Sequence, residues 1–258
     1  MNRAVILALV LVVGGPWLAP YDPMEQNLLA VLLAPTWDHW LGTDHLGRDV
    51  LSRVLAGAPR SLGLALGCVG TAVALGCTLG LMAATGGRWL GTLIMRGADL
   101  VLAFPGLLLA LLLAGFLGGG VGPMLFGLTL TLWPQYARMT QAVARRALAE
   151  PPVEAARLAG FTTLAILTSL VLPVVLRALL PLATLGVGQA ILSISALGFL
   201  GLGLRPPEPE WGAMINDLLP VLTEAPVQMA APCLAILTAV LGLTLAGRHL
   251  LARQQHSL

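Results

Sequence analysis

Residues Glu150–Pro173 read EPPVEAARLAGFTTLAILTSLVLP. They fall in a chain of 258 residues that is 57% hydrophobic and only 10% charged, with a mean hydropathy of +0.89. Two glutamates, an arginine and a proline pair come first; a helix-prone run ending at Pro173 follows. A charged side chain at the centre of a bilayer costs ~2.5–3.5 kcal/mol on insertion scales. This block therefore lies outside the hydrocarbon, and the apolar runs on either side of it are separate spans.

Working outward, each run of ~20 apolar residues is long enough to cross a ~30 Å hydrocarbon core as a helix. Six are expected, at about 3–19, 61–84, 93–117, 121–143, 176–203 and 227–247. The fold class is all-α and polytopic: six transmembrane helices, with a polar helix between spans 4 and 5. The runs are continuous rather than alternating, which argues against a β-barrel. The start, MNRAVILALVLVVGGPWLAP, resembles a secretory signal. It lacks a small-x-small cleavage site and more spans follow, so 1–20 is expected to stay as the first transmembrane helix. A polar segment, 21–60, precedes the other five spans in 61–250, and 251–258 form a tail.

Charge orients the spans. With the N-terminus inside, Arg3, Arg88, Arg96, Arg138, Arg145, Arg146, Arg157, Arg177, Arg248 and Arg253 are cytoplasmic. Only Arg48, Arg53, Arg60 and Arg205 lie outside, where nine of the acids also fall. Ten arginines against four satisfy the positive-inside rule with both termini in the cytoplasm. The block at 150–173 is then cytoplasmic.

All 14 basic residues are arginine. Without a lysine there is no G-x-x-x-x-G-K-[ST] phosphate loop, so any ATP hydrolysis must take place on another chain. Cys68, Cys77 and Cys233 match no zinc or redox spacing and read as small buried hydrophobes. His39 and His45, six residues apart without a second pair, make a weak metal signal. Thr43, Asp44, Gly47, Arg48 and Asp49 form a dense polar motif. Its charges either pair with each other and cap the turn around Gly42 and Gly47, or meet a partner outside. Asp99 lies near the start of the third expected span, three residues after Arg96 and on the same helix face. It reads as an interfacial ion pair or a dipole complement rather than a proton relay, which would sit deeper with a partner. Gly186, Ala190 and Ser193 share a face suited to close helix packing. No nucleophile elbow, H-E-x-x-H pair or carboxylate dyad occurs in a span, and nothing suggests a nucleic-acid partner.

In the block itself, Pro151 and Pro152 stop one helix and suit the first turn of the next. Glu150 and Glu154 fall at the positive end of its dipole. Ala155, Ala156, Ala159 and Gly160 leave little side-chain bulk, and Pro173 marks where the next span takes over. The residues alone leave two readings open: a docking element and an ordinary connector.

Glu154-Ala155-Ala156, Gly160, Leu170 and Leu172-Pro173 resemble the pattern E-A-A-x3-G-x9-I-x-L-P of bacterial ABC importer permeases, with leucine in place of isoleucine. WLGTDHLGRDVLSRVLAGAPRSL (Trp40–Leu62), MRGADLVLAFPGLLLALLL (Met95–Leu113) and SALGFLGLGLRPPEPEWGAMIND (Ser195–Asp217) are similar to segments of the C-type permeases of dipeptide, oligopeptide and nickel importers. The resemblance implies a five-helix permease core in 61–250 and a helix, about Pro152 to Phe161, that couples to an ATPase. Glu154, Ala155, Ala156, Gly160, Leu172 and Pro173 are its coupling residues. It further implies a homologous second permease, two ABC ATPases that bind ATP and magnesium, and an extracytoplasmic binding protein. The chain itself would carry no cofactor, metal or catalytic residue. Where the family commonly closes on N-x-x-G-D-x-x-R-D, this chain has TLAGRHLLARQQ, keeping Gly247 and losing the acids. The cargo leans toward nickel or a metal chelate, with di- and oligopeptides close behind. The competing class is an ion-coupled secondary transporter, which needs ionisable or unwound sites at mid-membrane.

Overall fold

The structure, a computed structural model, describes residues 14–204 and 207–255. Most of the expected first span, residues 1–13, lies outside the described residues. Apart from an isolated antiparallel bridge between Thr43 and Asp49, the described chain contains no β-structure.

Helix α1, Val50–Thr85, starts where Asp49 leaves helical geometry and its carboxylate accepts the Ser52 N–H at 2.8 Å. At ~1.5 Å per residue, its 36 residues exceed the thickness of the hydrocarbon. The span expected at 61–84 is thus the inner part of a longer rod, and α1 takes over the last residues of the 21–60 segment.

The expected span 93–117 is instead two helices. Helix α2, Gly87–Leu102, and α3, Gly106–Phe116, meet at 88°. The break falls at Pro105, which has no N–H to donate and biases Phe104 away from helical geometry. Helix α4, Val121–Leu148, follows. It packs closely on α1 because the seam is nearly free of side chains. A Cβ at Gly76 would sit 2.6 Å from the Tyr136 Cβ, and one at Gly80 would sit 2.6 Å from the Ala137 carbonyl. The two glycines stand four residues apart, the spacing that lets membrane helices approach closely.

After the short α5, Pro151–Leu158, helix α6 runs from Thr163 to Phe199. Pro173 does not end a segment, as the sequence reading had it; α6 continues through it. A π-helical turn, Leu167–Val171, comes immediately before, and such a wider turn relieves the missing bond and ring clash that a proline brings. Helix α7, Trp211–Leu218, leads into α8, Pro226–Gln255. Gly247 is buried in α8, where a Cβ would meet the Leu185 side chain of α6 at 2.9 Å.

The core runs between α1, α4, α6 and α8 and includes Ala65, Val69, Leu128, Tyr136, Leu179 and Ile191. Gly186 faces this core with no room to spare, since a Cβ there would strike the Tyr136 hydroxyl. Outward-facing Leu93, Leu112, Phe116 and Leu234 are exposed, as expected of a surface solvated by lipid rather than water. Helices α1, α6 and α8 are each long and apolar enough to cross a membrane, and the bent α2–α3 pair adds a fourth candidate span. Helix α4 is long enough but diluted by Gln135, Arg138 and Gln141. Two expectations fail here. Cys233 is exposed rather than buried, and Asp99 pairs with Arg138 on α4 instead of Arg96 on its own helix.

Candidate functional site

Two motif-bearing segments stand at opposite ends of the bundle. In the first, the residues leading into α1 fold back on themselves. Thr43 accepts the Leu33 N–H at 2.9 Å and donates to the Ala30 carbonyl. Gly47 holds φ +71°, and a Cβ there would lie 1.8 Å from the Asn27 carbonyl oxygen; no other residue fits. Asp44 accepts the Arg48 Nε–H at 2.6 Å and the backbone N–H groups of Leu46 and Arg48. Arg53 approaches the same carboxylate at 3.5 Å.

Both arginines also reach Asp217 of α7, at 3.5 and 3.7 Å. Two guanidinium groups and two carboxylates thus form one network. Arg48, Asp44 and Arg53 are 1–3% exposed. Arg48 still has both terminal nitrogens without a hydrogen bond, so its contact with Asp217 is Coulombic. Asp49 caps α1 and accepts from His39 at 2.9 Å, while His45 buries an unpartnered Nδ1. The two histidines therefore do not converge, and among the described residues no group of three or more His, Cys, Asp or Glu is arranged to hold a metal.

The same face is stitched to α7 by Glu210, which sequence reasoning missed. Its carboxylate caps α7, accepting the Gly212 and Ala213 N–H groups at 2.9 Å, and receives the Ser61 hydroxyl of α1 at 3.3 Å. Burial pushes this carboxyl above its ordinary value, against the opposing pull of those three donors. Trp211 donates its indole N–H to the Val54 carbonyl at 3.0 Å. Glutamate is an uncommon N-cap, so nothing in the local pattern announced this role.

The second segment, around α5, is built the opposite way. Glu150 occupies the N-cap position of α5, Pro151 and Pro152 fill its first turn, and Glu154 follows within that turn. Val153 alone is buried, and Ala156 packs partly against the core. Glu154 and Ala155 are exposed. The helix ends in a double hydrogen bond: the Phe161 N–H reaches the Ala156 carbonyl and the Gly160 N–H reaches Arg157, both at 3.0 Å. That pairing places Gly160 at φ +83°, the left-handed position for which glycine is suited. Thr162 then caps α6. The turn presents three large apolar side chains outward: Leu158 is 85%, Phe161 57% and Leu164 71% exposed. Leu172 and Pro173, by contrast, are partly buried in α6, away from this surface. The structure thus groups Glu154, Ala155 and Gly160 with an apolar patch that was not anticipated.

Long apolar helices, with a small-faced helix presented between two of them, define a membrane-spanning transport subunit. The chain belongs to the family described as the binding-protein-dependent transport system inner membrane component, which matches residues 76–255. It is 41% identical over 239 residues to the di/tripeptide transport system permease protein DppC of Pseudomonas aeruginosa, covering 90% of this chain and 79% of that one. It is 40% identical over 251 residues to the dipeptide permease DppC of Escherichia coli K12, covering 94% and 83%. The nickel transport system permease protein NikC of the same organism is 37% identical over 242 residues, covering 94% and 87%. In fold the chain is similar to a MetNI methionine ABC transporter in an inward-facing conformation, with a TM-score of 0.62 at 19% identity, over 78% of this chain and 95% of that one.

Proposed function

We propose that this chain is one of two homologous membrane-spanning subunits of an ATP-driven importer in the bacterial inner membrane. It has six spans, with both termini cytoplasmic: the first expected span, most of which lies outside the described residues, then α1, the bent α2–α3 pair, α4, α6 and α8. Helix α5 is the coupling element. Two partner ATPases bind and hydrolyse ATP; α5 sits in a groove of one of them, and the closure of the pair reaches the spans through α4 and α6. An extracytoplasmic binding protein delivers cargo at the opposite face. The cargo is a di- or oligopeptide, or nickel as ion or chelate, the solutes for which the similar permeases are named.

The observation that carries this reading is the construction of α5. A solvated connector has no reason to expose Leu158, Phe161 and Leu164 together, whereas a surface covered by a partner does. Glu154 at the head of the helix adds a charge for register, and Gly160 fixes where the helix stops. A secondary transporter is the competing class. Vesicles carrying the assembled complex, with ATP trapped at the ATPase side and no ion gradient, separate the two. Uptake of binding-protein-delivered cargo is expected; uptake that requires a gradient and ignores ATP would exclude this reading.

A further inference from the structure

The buried Thr43–Asp49 motif holds in place a segment that it does not cover. Leu32 adopts φ +52°, alone among the described residues other than glycine in having a positive φ. For a leucine this costs about 1–2 kcal/mol. Its N–H reaches the Asp44 carbonyl at 3.1 Å, and Leu33 is then clamped three times over. The Leu33 N–H meets the Thr43 hydroxyl, and the Leu33 carbonyl accepts both the Thr43 N–H and the side-chain amide of Gln228 on α8. Strain of this kind persists only where the surroundings over-determine it, and it clusters at functional sites.

Beyond the clamp comes a tight turn, residues 35–40. The His39 carbonyl accepts the Thr36 and Gly42 N–H groups, both at 2.9 Å, and the Thr36 hydroxyl accepts the His39 N–H. Trp37 and Trp40 point outward, 94% and 68% exposed. With Pro35 and Thr36 they line an open cleft of about 540 Å³. The exposed charges beside it are of one sign. Asp38 lies in the turn itself. The Tyr21 ring packs on His39 with centroids 4.8 Å apart, which brings Asp22 alongside, and the Glu25 N–H bonds the Asp22 carbonyl. All three acids are exposed. No arginine or lysine occurs between Arg3 and Arg48. His39 is turned onto Asp49, and Arg60 of α1 is engaged by Glu208.

Two firmly held tryptophans inside a charged fringe have the make-up of a protein–protein contact. A bilayer surface suits them less. An interfacial tryptophan keeps its N–H toward water, whereas Trp40 donates its own to the Trp37 carbonyl at 3.0 Å. Three carboxylates are also repelled by anionic headgroups. A permanent subunit interface would be larger and more apolar. The family to which the chain belongs depends on a binding protein, and this turn stands at the end of the bundle away from α5. We propose that residues 35–40 are a docking platform for the extracytoplasmic binding protein. The partner seats an apolar side chain in the cleft and sets lysines or arginines against Asp22, Glu25 and Asp38. This rests on the importer reading above. The acids speed the partner's arrival, and the covered tryptophans hold it once it has docked.

The test uses the full complex, with the second permease and both ATPases, in nanodiscs titrated with cargo-loaded binding protein. Trp37→Ser alters an exposed side chain and is expected to raise the half-saturating concentration for stimulation of ATP hydrolysis at least tenfold, with excess binding protein recovering the rate. The wild-type half-saturating concentration is expected to rise with ionic strength. Asp22→Lys, Glu25→Lys and Asp38→Lys together are expected to abolish or invert that dependence. Stimulation that is indifferent to both sets of substitutions overturns this proposal alone. A bimane label on Trp37→Cys, in a Cys233→Ala background with cysteine-free partners, locates the turn, since the two remaining cysteines are buried. Aqueous iodide is expected to quench the label, and binding protein to shield it. Quenching by brominated lipid instead, or shielding by the second permease alone, would make the turn a membrane or subunit contact and overturn the proposal. A wild-type complex that neither binds nor responds to any binding protein overturns the importer reading, and this proposal with it.

Discussion

The two motifs of this chain differ in what surrounds them. The first, Thr43 to Asp49, carries charge and is almost entirely buried. The second, Glu154 to Gly160, is less charged and almost entirely exposed. In the Thr43–Asp49 motif the carboxylates and the hydroxyl have been taken up by the chain itself: Asp44 by Arg48 and two backbone N–H groups, Asp49 by the head of α1, Thr43 by the turn before it. Around the second motif only Val153 of α5 is fully committed to the core. The lesson is that a dense motif signals constraint, and burial shows whether the constraint is internal or belongs to a partner.

The contrast breaks most visibly at Arg48. Arg48→Ala leaves Asp44 buried without its closest cation, the kind of change that costs about 3–5 kcal/mol. Thermal unfolding in detergent is expected to show a large loss, or no folded protein, with any transport defect following from it. Gly160→Ala comes next. It forces a side chain into the left-handed region at a cost of about 1–2 kcal/mol and frays the end of α5. A stability change smaller than that, with normal transport, would show that the helix stop is not needed.

Glu210 supplies a pH test of the buried network between α1 and α7. A carboxyl held above its ordinary value binds its proton more tightly in the folded protein than in the unfolded chain. Its contribution to stability is therefore fullest below the unfolded-state value and is lost as pH rises through the folded-state value. Glu210→Gln is expected to flatten that slope in a series of unfolding measurements across the acidic range. A wild-type minus Glu210→Gln difference in slope of the opposite sign would contradict the assignment. The smallest effect on stability belongs to Glu154→Lys, at an exposed position, expected within about 0.5 kcal/mol. The same variant is expected to abolish ATP-driven uptake, so stability and function separate at α5 and coincide at Arg48.

Much of this arrangement was legible in the residues. The apolar runs placed α1, α6 and α8, and the prolines and small residues of 150–160 placed α5. The bend at Pro105 was not read, because a proline within a predominantly apolar stretch does not by itself say whether a membrane helix kinks gently or breaks. The passage of α6 through Pro173 was not read either, since a π turn has no sequence signature of its own. Asp99 was assigned to Arg96 by helical spacing; its partner, Arg138, lies 39 residues away, a distance that only tertiary packing resolves. The glycine pair at 76 and 80 carried a readable signal in its spacing. The Glu210 cap, formed with Ser61 149 residues earlier, carried none.

The central claim is that the exposed face of α5 is covered by an ATPase. The direct measurement is cross-linking from Leu158→Cys in the assembled complex, in a Cys233→Ala background, with a short bifunctional thiol reagent and ATPases carrying single cysteines along their surface groove. The account expects a product joining this chain to an ATPase subunit, weakened by Leu158→Asp placed beside a second cysteine at Phe161. A complex that imports cargo yet yields no such product from either position would contradict it.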